Sequence, residues 1–157
     1  MAKKNNVGLD TAAVEPIIEG LGDLLANYQV FYTNMRGLHW LIEGDKFYEL
    51  HEKYEEYYDE LADAVDEIAE RIIMLGGTPE SRFSQYIKQS DIKELAGVKD
   101  WLEGVNSIQE TLTLLLVKLR DLQALAGKAG DSGTLHVVAH QIKNFEKKMW
   151  MLSAYTK

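Results

Sequence analysis

The sequence predicts an all-α protein: a four-helix bundle with a long crossover that contains a short extra helix. Three observations predict it. Apolar residues recur at steps of three and four through four long segments, which is the seam of a packed bundle. Only two prolines are present, Pro16 and Pro79, so long helices have room to form. The connections are unequal, two short and one long. No comparable alternation marks a strand.

The first segment carries Val14, Ile17, Leu21, Leu24, Tyr28, Phe31, Met35 and Leu38 on one stripe. Gly44-Asp45 separates it from the second, which carries Leu50, Tyr54, Tyr57, Leu61, Val65, Ile68 and Ile72. Gly76-Gly77-Thr78-Pro79 stops the second helix, since glycine and proline cannot continue it cheaply. The third segment carries Trp101, Val105, Ile108, Leu112, Leu115, Leu119 and Leu122, with Asp100 placed to cap it. Gly127 to Gly133 breaks the third from the fourth, and Asp131, Ser132 or Thr134 is available as a cap. The fourth carries Leu135, Val138, Ile142, Phe145, Met149 and Leu152.

The two short connections join antiparallel neighbours. The middle connection runs from Gly76 to Lys99. A second helix over Asp45 to Leu75 is roughly 46 Å long at 1.5 Å per residue, and extended chain covers about 3.3 Å per residue. The connection therefore has the reach to return along the bundle, leaving the second and third helices parallel. That is the ferritin-like, one-crossover arrangement. Within it, Ser81 to Gln89 is expected as the short helix, with Phe83, Tyr86 and Ile87 on one face. An up-down bundle with a long loop is the alternative, disfavoured because structureless loops of this length are uncommon.

Length and composition set further bounds. A chain of 157 residues fits one domain with a real core, read here as residues 1–157 with a flexible tail at 1–10. The absence of cysteine excludes thiolate metal sites and disulfides. Met1 to Pro16 lacks an apolar signal core, and no run approaches the roughly 20 apolar residues of a membrane span, so a cytoplasmic location is expected. The formal net charge of −8 suits cations better than polyphosphates.

Four residues carry the chemistry: His39, His51, Asp66 and Glu70. Imidazole and carboxylate together suit a first-row metal such as iron or zinc. Singly, each also reads as an ordinary structural or surface residue. His51 and Asp66 fall on one continuous predicted helix, fifteen positions and roughly 22 Å apart, whereas metal–ligand bonds are about 2 Å. If the four form one site, a second copy of the chain must supply half of it. At 100° per residue His51, Asp66 and Glu70 fall within roughly 100° of arc. Two copies of this helix set antiparallel about a two-fold axis would make two equivalent sites.

The stretch Leu38-His39-Trp40, Gly44, Phe47, then Leu50-His51-Glu52-Lys53-Tyr54-Glu55-Glu56, closely resembles the Dps family of mini-ferritins. So do Asp59 to Arg71, Leu75-Gly76-Gly77 with Pro79, the Ala129-Gly130-Asp131 turn and the Trp150-Met151-Leu152 ending. The resemblance implies a hollow dodecamer with ferroxidase centres at two-fold interfaces, His39 and His51 coming from one subunit and Asp66 and Glu70 from its mate. It implies that Fe(II) is oxidised there, preferentially by hydrogen peroxide, and that ferric mineral is stored inside as protection against oxidative stress. Glu55 matches a position that helps bind a second iron or its bridging water. Trp40 matches a tryptophan near the centre and serves either as an electron donor or in packing. Asp131 matches the acids that line three-fold pores, but Leu135, His136 and His140 stand where further acids are often found. His136 and His140, four apart, are either metal ligands or plain surface residues.

From Glu43 to Glu70 there are twelve carboxylates against Lys46 and Lys53. They form either a solvated face or, through Glu56, Asp59, Glu60 or Asp63, an inner surface where ferric ions nucleate. Some family members hold DNA with a lysine-rich tail. Here there are only Lys3 and Lys4, with Lys143, Lys147, Lys148 and Lys157 near the other end. Counterion release from so few cations at net −8 predicts weak, salt-sensitive DNA binding at best. A nucleoid-binding structural protein is therefore the second reading and a plain helical interaction module the third. The long-chain ferritin site needs Glu-x-x-His motifs, and none occurs.

Overall fold

The computed structural model describes residues 3–157. Among them the elements run α1 Thr11–Leu41, α2 Phe47–Met74, α3 Phe83–Gln89, α4 Trp101–Ala129 and α5 Ser132–Tyr155. Aspartates start three of the helices. Asp10 accepts from the Ala12 amide at 3.0 Å, Asp100 from that of Glu103 at 2.9 Å, and Asp131 from that of Thr134 at 3.0 Å. Each satisfies an amide that the first turn leaves without a partner. Gly130 ends α4 in the left-handed conformation, φ 68°, which favours a residue without Cβ.

Two contacts at opposite ends fix the topology. The Glu43 amide donates to the Lys99 carbonyl at 3.1 Å, and Lys99 Nζ meets Glu43 Oε1 at 2.8 Å. The start of α4 thus lies beside the start of α2. At the far end Arg71, in the last turn of α2, reaches Asp131 at the start of α5. Helices α2 and α4 therefore run parallel and the crossover spans the bundle, as expected from the length of the middle connection.

The predicted stripes form the core: Ile17, Leu21, Tyr28 and Met35 of α1 meet Tyr54, Ile68 and Ile72 of α2 and Val105, Leu112 and Leu119 of α4. Some details differ. Val65, Trp101, Leu135 and Met149 of the stripes are only partly buried, and Ala64 takes the fully inward place beside Val65. In α3 only Tyr86 turns inward, its hydroxyl donating to the Glu80 carbonyl, while Phe83 and Ile87 are 75% and 52% exposed. The expected shared face splits because one short helix lying on α1 offers room for a single large ring.

Two buried asparagines on α1 fasten the crossover. Asn27 Oδ1 accepts from Ser90 Oγ and from the amides of Asp91 and Ile92. Asn34 donates to the Lys93 carbonyl at 2.8 Å and accepts from the Leu95 amide at 2.9 Å. Irregular backbone can lie against the bundle there because its polar groups are paired.

Of the tail expected at 1–10, residues 1–2 lie outside the described part. Residues 3–10 form a turn on the bundle: Asn5 Oδ1 accepts from the Leu9 amide at 2.9 Å, and Asn5 Nδ2 donates to the Leu75 carbonyl at 3.1 Å.

Candidate metal centre

His39 stands in the last turn of α1 and His51 in the second turn of α2, joined by the short Gly44 connection. Their rings stack with centroids 3.8 Å apart and planes 13° from parallel. His39 Nδ1 lies 2.6 Å from the His51 carbonyl oxygen, and His51 Nδ1 lies 2.8 Å from that of His39. A carbonyl only accepts, so both Nδ1 atoms carry the proton. Each Nε2 is then a bare lone pair, and neither has a hydrogen-bond partner among the described residues. Holding one ring nitrogen to orient the other is how a protein presents imidazole to a metal.

Neighbouring rings fix the pair. Phe47 stacks on His51 at 4.9 Å and 19°, and Tyr58 stands edge-on to His39 at 5.4 Å and 80°. Neither was singled out by chemistry in the sequence. Their spacing from His51, four before and seven after, is the signal that puts all three on one face of α2. Partial burial, followed by the nearby Glu55 and Asp59 carboxylates, raises the Tyr58 phenol above its ordinary pKa.

Asp66 and Glu70 do not join the histidines. Helix α2 is continuous between them, so the separation of roughly 22 Å stands. Both acids are exposed, without an ion pair or hydrogen bond among the described residues, in a groove between α2 and α5 that also includes Asp63 and His140. No three His, Asp or Glu side chains of the described residues gather closely enough to hold a metal. The chain thus presents two bare imidazole nitrogens at one place and two unspent carboxylates at another. Glu55, one turn beyond His51, is exposed. The donor set fits a divalent first-row ion at each half, with neither half complete.

The ferritin-like domain family matches residues 18–157. A curated relative from Porphyromonas gingivalis, named DNA protection during starvation protein, is 44% identical over 94% of this chain and 93% of its own. General stress protein 20U of Bacillus subtilis is 34% identical over 90% of this chain and 97% of its own. The crystal structure of a Dps protein from Vibrio cholerae O1, described as one of the ferritin-like diiron-carboxylate proteins, superposes with TM-score 0.96. It is 43% identical, covering 100% of this chain and 98% of the other. A Dps structure from Bacillus brevis gives 0.90 at 29% identity, covering 93% and 98%. The chain belongs to the Dps family.

The remaining candidate residues of this Dps chain are placed as follows. Asp131, expected at a pore, is 1% exposed. Its carboxylate accepts from Arg71 Nη2 at 2.6 Å, from Thr134 Oγ1 at 2.5 Å and from the Thr134 amide. The cap and the ion pair use the oxygens that a pore would offer to passing cations. Trp40 is 64% exposed, so it does not pack in the core of its own chain; the Arg36 guanidinium lies 5.1 Å from its ring. His136 and His140 are exposed with no third ligand beside them. Among the candidate nucleation acids, Glu60 is paired with the buried Lys148, and Glu56 with Lys53 at 2.5 Å. Burial alone would raise the Glu60 carboxyl, but hydrogen bonds from Lys148 and Asn144 hold it below its usual range. Among the described residues no helix is long and apolar enough to cross a membrane.

Proposed function

We propose that this Dps-family chain is a ferroxidase and iron store. It oxidises Fe(II), with hydrogen peroxide as the preferred oxidant, and keeps the ferric product inside a hollow cytoplasmic dodecamer. The centre is shared: His39 and His51 of one copy face Asp66 and Glu70 of a second across a two-fold axis, with Glu55 assisting. The supporting observation is the reciprocal bonding of the histidines, which leaves two Nε2 lone pairs unspent while the chain's own carboxylates stay remote and unspent.

The chemistry follows from the donors. Neutral imidazole and carboxylate bind Fe(II), and four protein donors leave positions for oxidant and water. Carboxylates prefer the harder Fe(III) and so favour loss of the electron. Two irons supply the two electrons that peroxide needs, without release of hydroxyl radical.

The second reading, a nucleoid-binding protein, draws on the name of the Porphyromonas gingivalis relative. The cations weigh against it. Lys148 is 8% exposed and committed to Glu60, and Lys143 and Lys147 line the acidic groove. The deciding experiment pairs peroxide-driven Fe(II) oxidation by stopped-flow absorbance with a DNA gel shift in low-magnesium buffer. The ferroxidase reading expects fast oxidation and no tight DNA complex. Slow oxidation with strong DNA retention would reverse it, and a small oligomer that binds no iron would favour a plain interaction module.

A further inference from the structure

The groove between α2 and α5, about 720 Å³ in volume, has walls of opposite charge. Asp63 and Glu67, four apart on α2, stand on one wall; Lys143 and Lys147, four apart on α5, stand on the other with His140. All are exposed, and none of these four charges pairs with another among the described residues. Glu60, also on the α2 wall, is already spent on Lys148. At about 30 Å³ per water in the liquid, the groove has room for a cluster of hydrated ions.

A buried side chain adds a directional donor. Gln141 borders the groove and is 5% exposed. Its Oε1 accepts from the Tyr28 hydroxyl at 3.4 Å. Burial, then the Glu67 charge, raises the Tyr28 phenol, so that hydroxyl keeps its proton and takes the oxygen end of the amide. Gln141 Nε2 is left with no hydrogen-bond partner among the described residues. A buried donor left unspent is costly. This one offers hydrogens and no lone pair, so it suits an oxyanion and not a metal ion.

We propose that this groove binds inorganic phosphate beside ferric ion, so that the stored product is ferric phosphate. The proposal rests on the ferroxidase and storage reading above, which supplies the Fe(III). Asp63 and Glu67 hold the cation. Gln141 Nε2 donates to one phosphate oxygen, and Lys143 and Lys147 balance the anion's charge. A further phosphate oxygen bridges to the ferric ion, a hard donor on a hard cation. Asp66 and Glu70, in the same groove, remain with the shared centre. Acids alone would gather cations only; the amide and the cationic wall add the oxyanion. A DNA strand fits poorly, because its neighbouring phosphates would meet the α2 carboxylates.

The test has two arms, both on the assembled full-length protein. In the first, equilibrium dialysis measures radiolabelled inorganic phosphate retained in the presence of gallium(III) citrate, a redox-inert stand-in for Fe(III). The parent is expected to retain several-fold more phosphate than sulfate. The double variant Lys143→Gln, Lys147→Gln loses most of that retention. Gln141→Glu loses it too, because it keeps an acceptor for Tyr28 and replaces the donor with a carboxylate. In the second arm, Fe(II) is oxidised by hydrogen peroxide with phosphate present, and elemental analysis reads phosphorus per iron. That ratio falls several-fold in the variants, while the oxidation rate stays at the parent's. Circular dichroism and light scattering confirm that each variant is folded and assembled. No phosphate retained by the parent, retention matched by sulfate, or equal retention in the lysine variant overturns the proposal. So does loss of DNA retention in that variant with phosphate uptake unchanged, which would assign the lysines to nucleic acid. A parent that retains phosphate with gallium but does not oxidise Fe(II) quickly sinks the ferroxidase reading and leaves the phosphate site standing.

Discussion

His39 and His51 each donate Nδ1–H to the other's backbone carbonyl, so each imidazole holds its partner's helix end as well as its own orientation. Removing either ring frees a carbonyl on the other's residue and unstacks a ring pair 3.8 Å apart. The two substitutions are therefore expected to be non-additive. Each of His39→Ala and His51→Ala should cost nearly as much peroxide-driven Fe(II) oxidation as the double variant, with the shell intact by light scattering. Additive losses would mean that the two rings act independently.

A second expectation concerns the far end of α2. Arg71 is 14% exposed and Asp131 is 1% exposed, and Thr134 accepts from Arg71 Nε at 3.0 Å while donating to Asp131. Removing one partner of such a pair strands the other and costs about 3–5 kcal/mol. Asp131→Ala also loses the cap of α5, worth about 1 kcal/mol. Denaturant unfolding should show Asp131→Ala strongly destabilised and Asp131→Asn less so, because the amide oxygen can still accept. A near-neutral Asp131→Ala would show that the carboxylate is not the anchor it looks to be.

The crossover supplies a third. Asn27 receives three donors from Ser90, Asp91 and Ile92, and Asn34 binds Lys93 and Leu95. Asn27→Ala leaves the part-buried Asp91 amide without its acceptor, at about 1–3 kcal/mol, while the Ile92 amide keeps Ser90 Oγ. Limited proteolysis should then cut faster between Glu80 and Lys99 than in the parent, while the four long helices stay protected. Unchanged cleavage would show that apolar burial of Tyr86 and Ile92 holds the segment by itself.

These asparagines also mark the limit of what the sequence discloses. The apolar stripes, the glycine stops and the length of the middle connection carry the bundle and its crossover, because burial repeats every three to four residues and leaves a periodic trace. Asn27 and Asn34 leave none. They sit among apolar residues of α1, and their partners lie about 60 positions away. The centre divides the same way. His39 and His51 announce themselves by type, but their exchange of carbonyls depends on how tightly the Gly44 connection folds α2 against α1. Asp131 is legible as a cap, yet its pairing with Arg71 is a matter of which helix ends meet in space.

Alkaline stability offers a fourth test. Desolvation, then Glu60 and Glu56, pushes the Tyr57 phenol from 10.0 to about 12, and desolvation, then Tyr155 and Tyr57, raises Tyr54 as well. An unfolded chain releases these protons near 10, so between 10 and 12 the folded state binds more protons and stability falls as pH rises. The contribution is whole below pH 10 and lost as pH climbs through the folded value. Unfolding midpoints followed from about pH 9 to about pH 12 should slope downward in the parent and less steeply in Tyr57→Phe. An identical slope in the variant would place the alkaline loss elsewhere.

The sharing of the centre between copies is tested most directly by complementation. Consider one variant lacking His39 and His51 and another lacking Asp66 and Glu70, each inactive alone. In a pair made of one of each, one centre draws its histidines and its acids from the two damaged halves and is dead. The other draws both from the intact halves and is whole. Random co-assembly of equal amounts makes about half of the pairs mixed, so about a quarter of all centres regain activity. Were all four ligands contributed by one chain, every chain in the mixture would lack two of them and activity would stay at the background of the separate variants. Stopped-flow rates before and after joint refolding distinguish recovery from none, and light scattering of the refolded mixture confirms that the assemblies being compared are the same size.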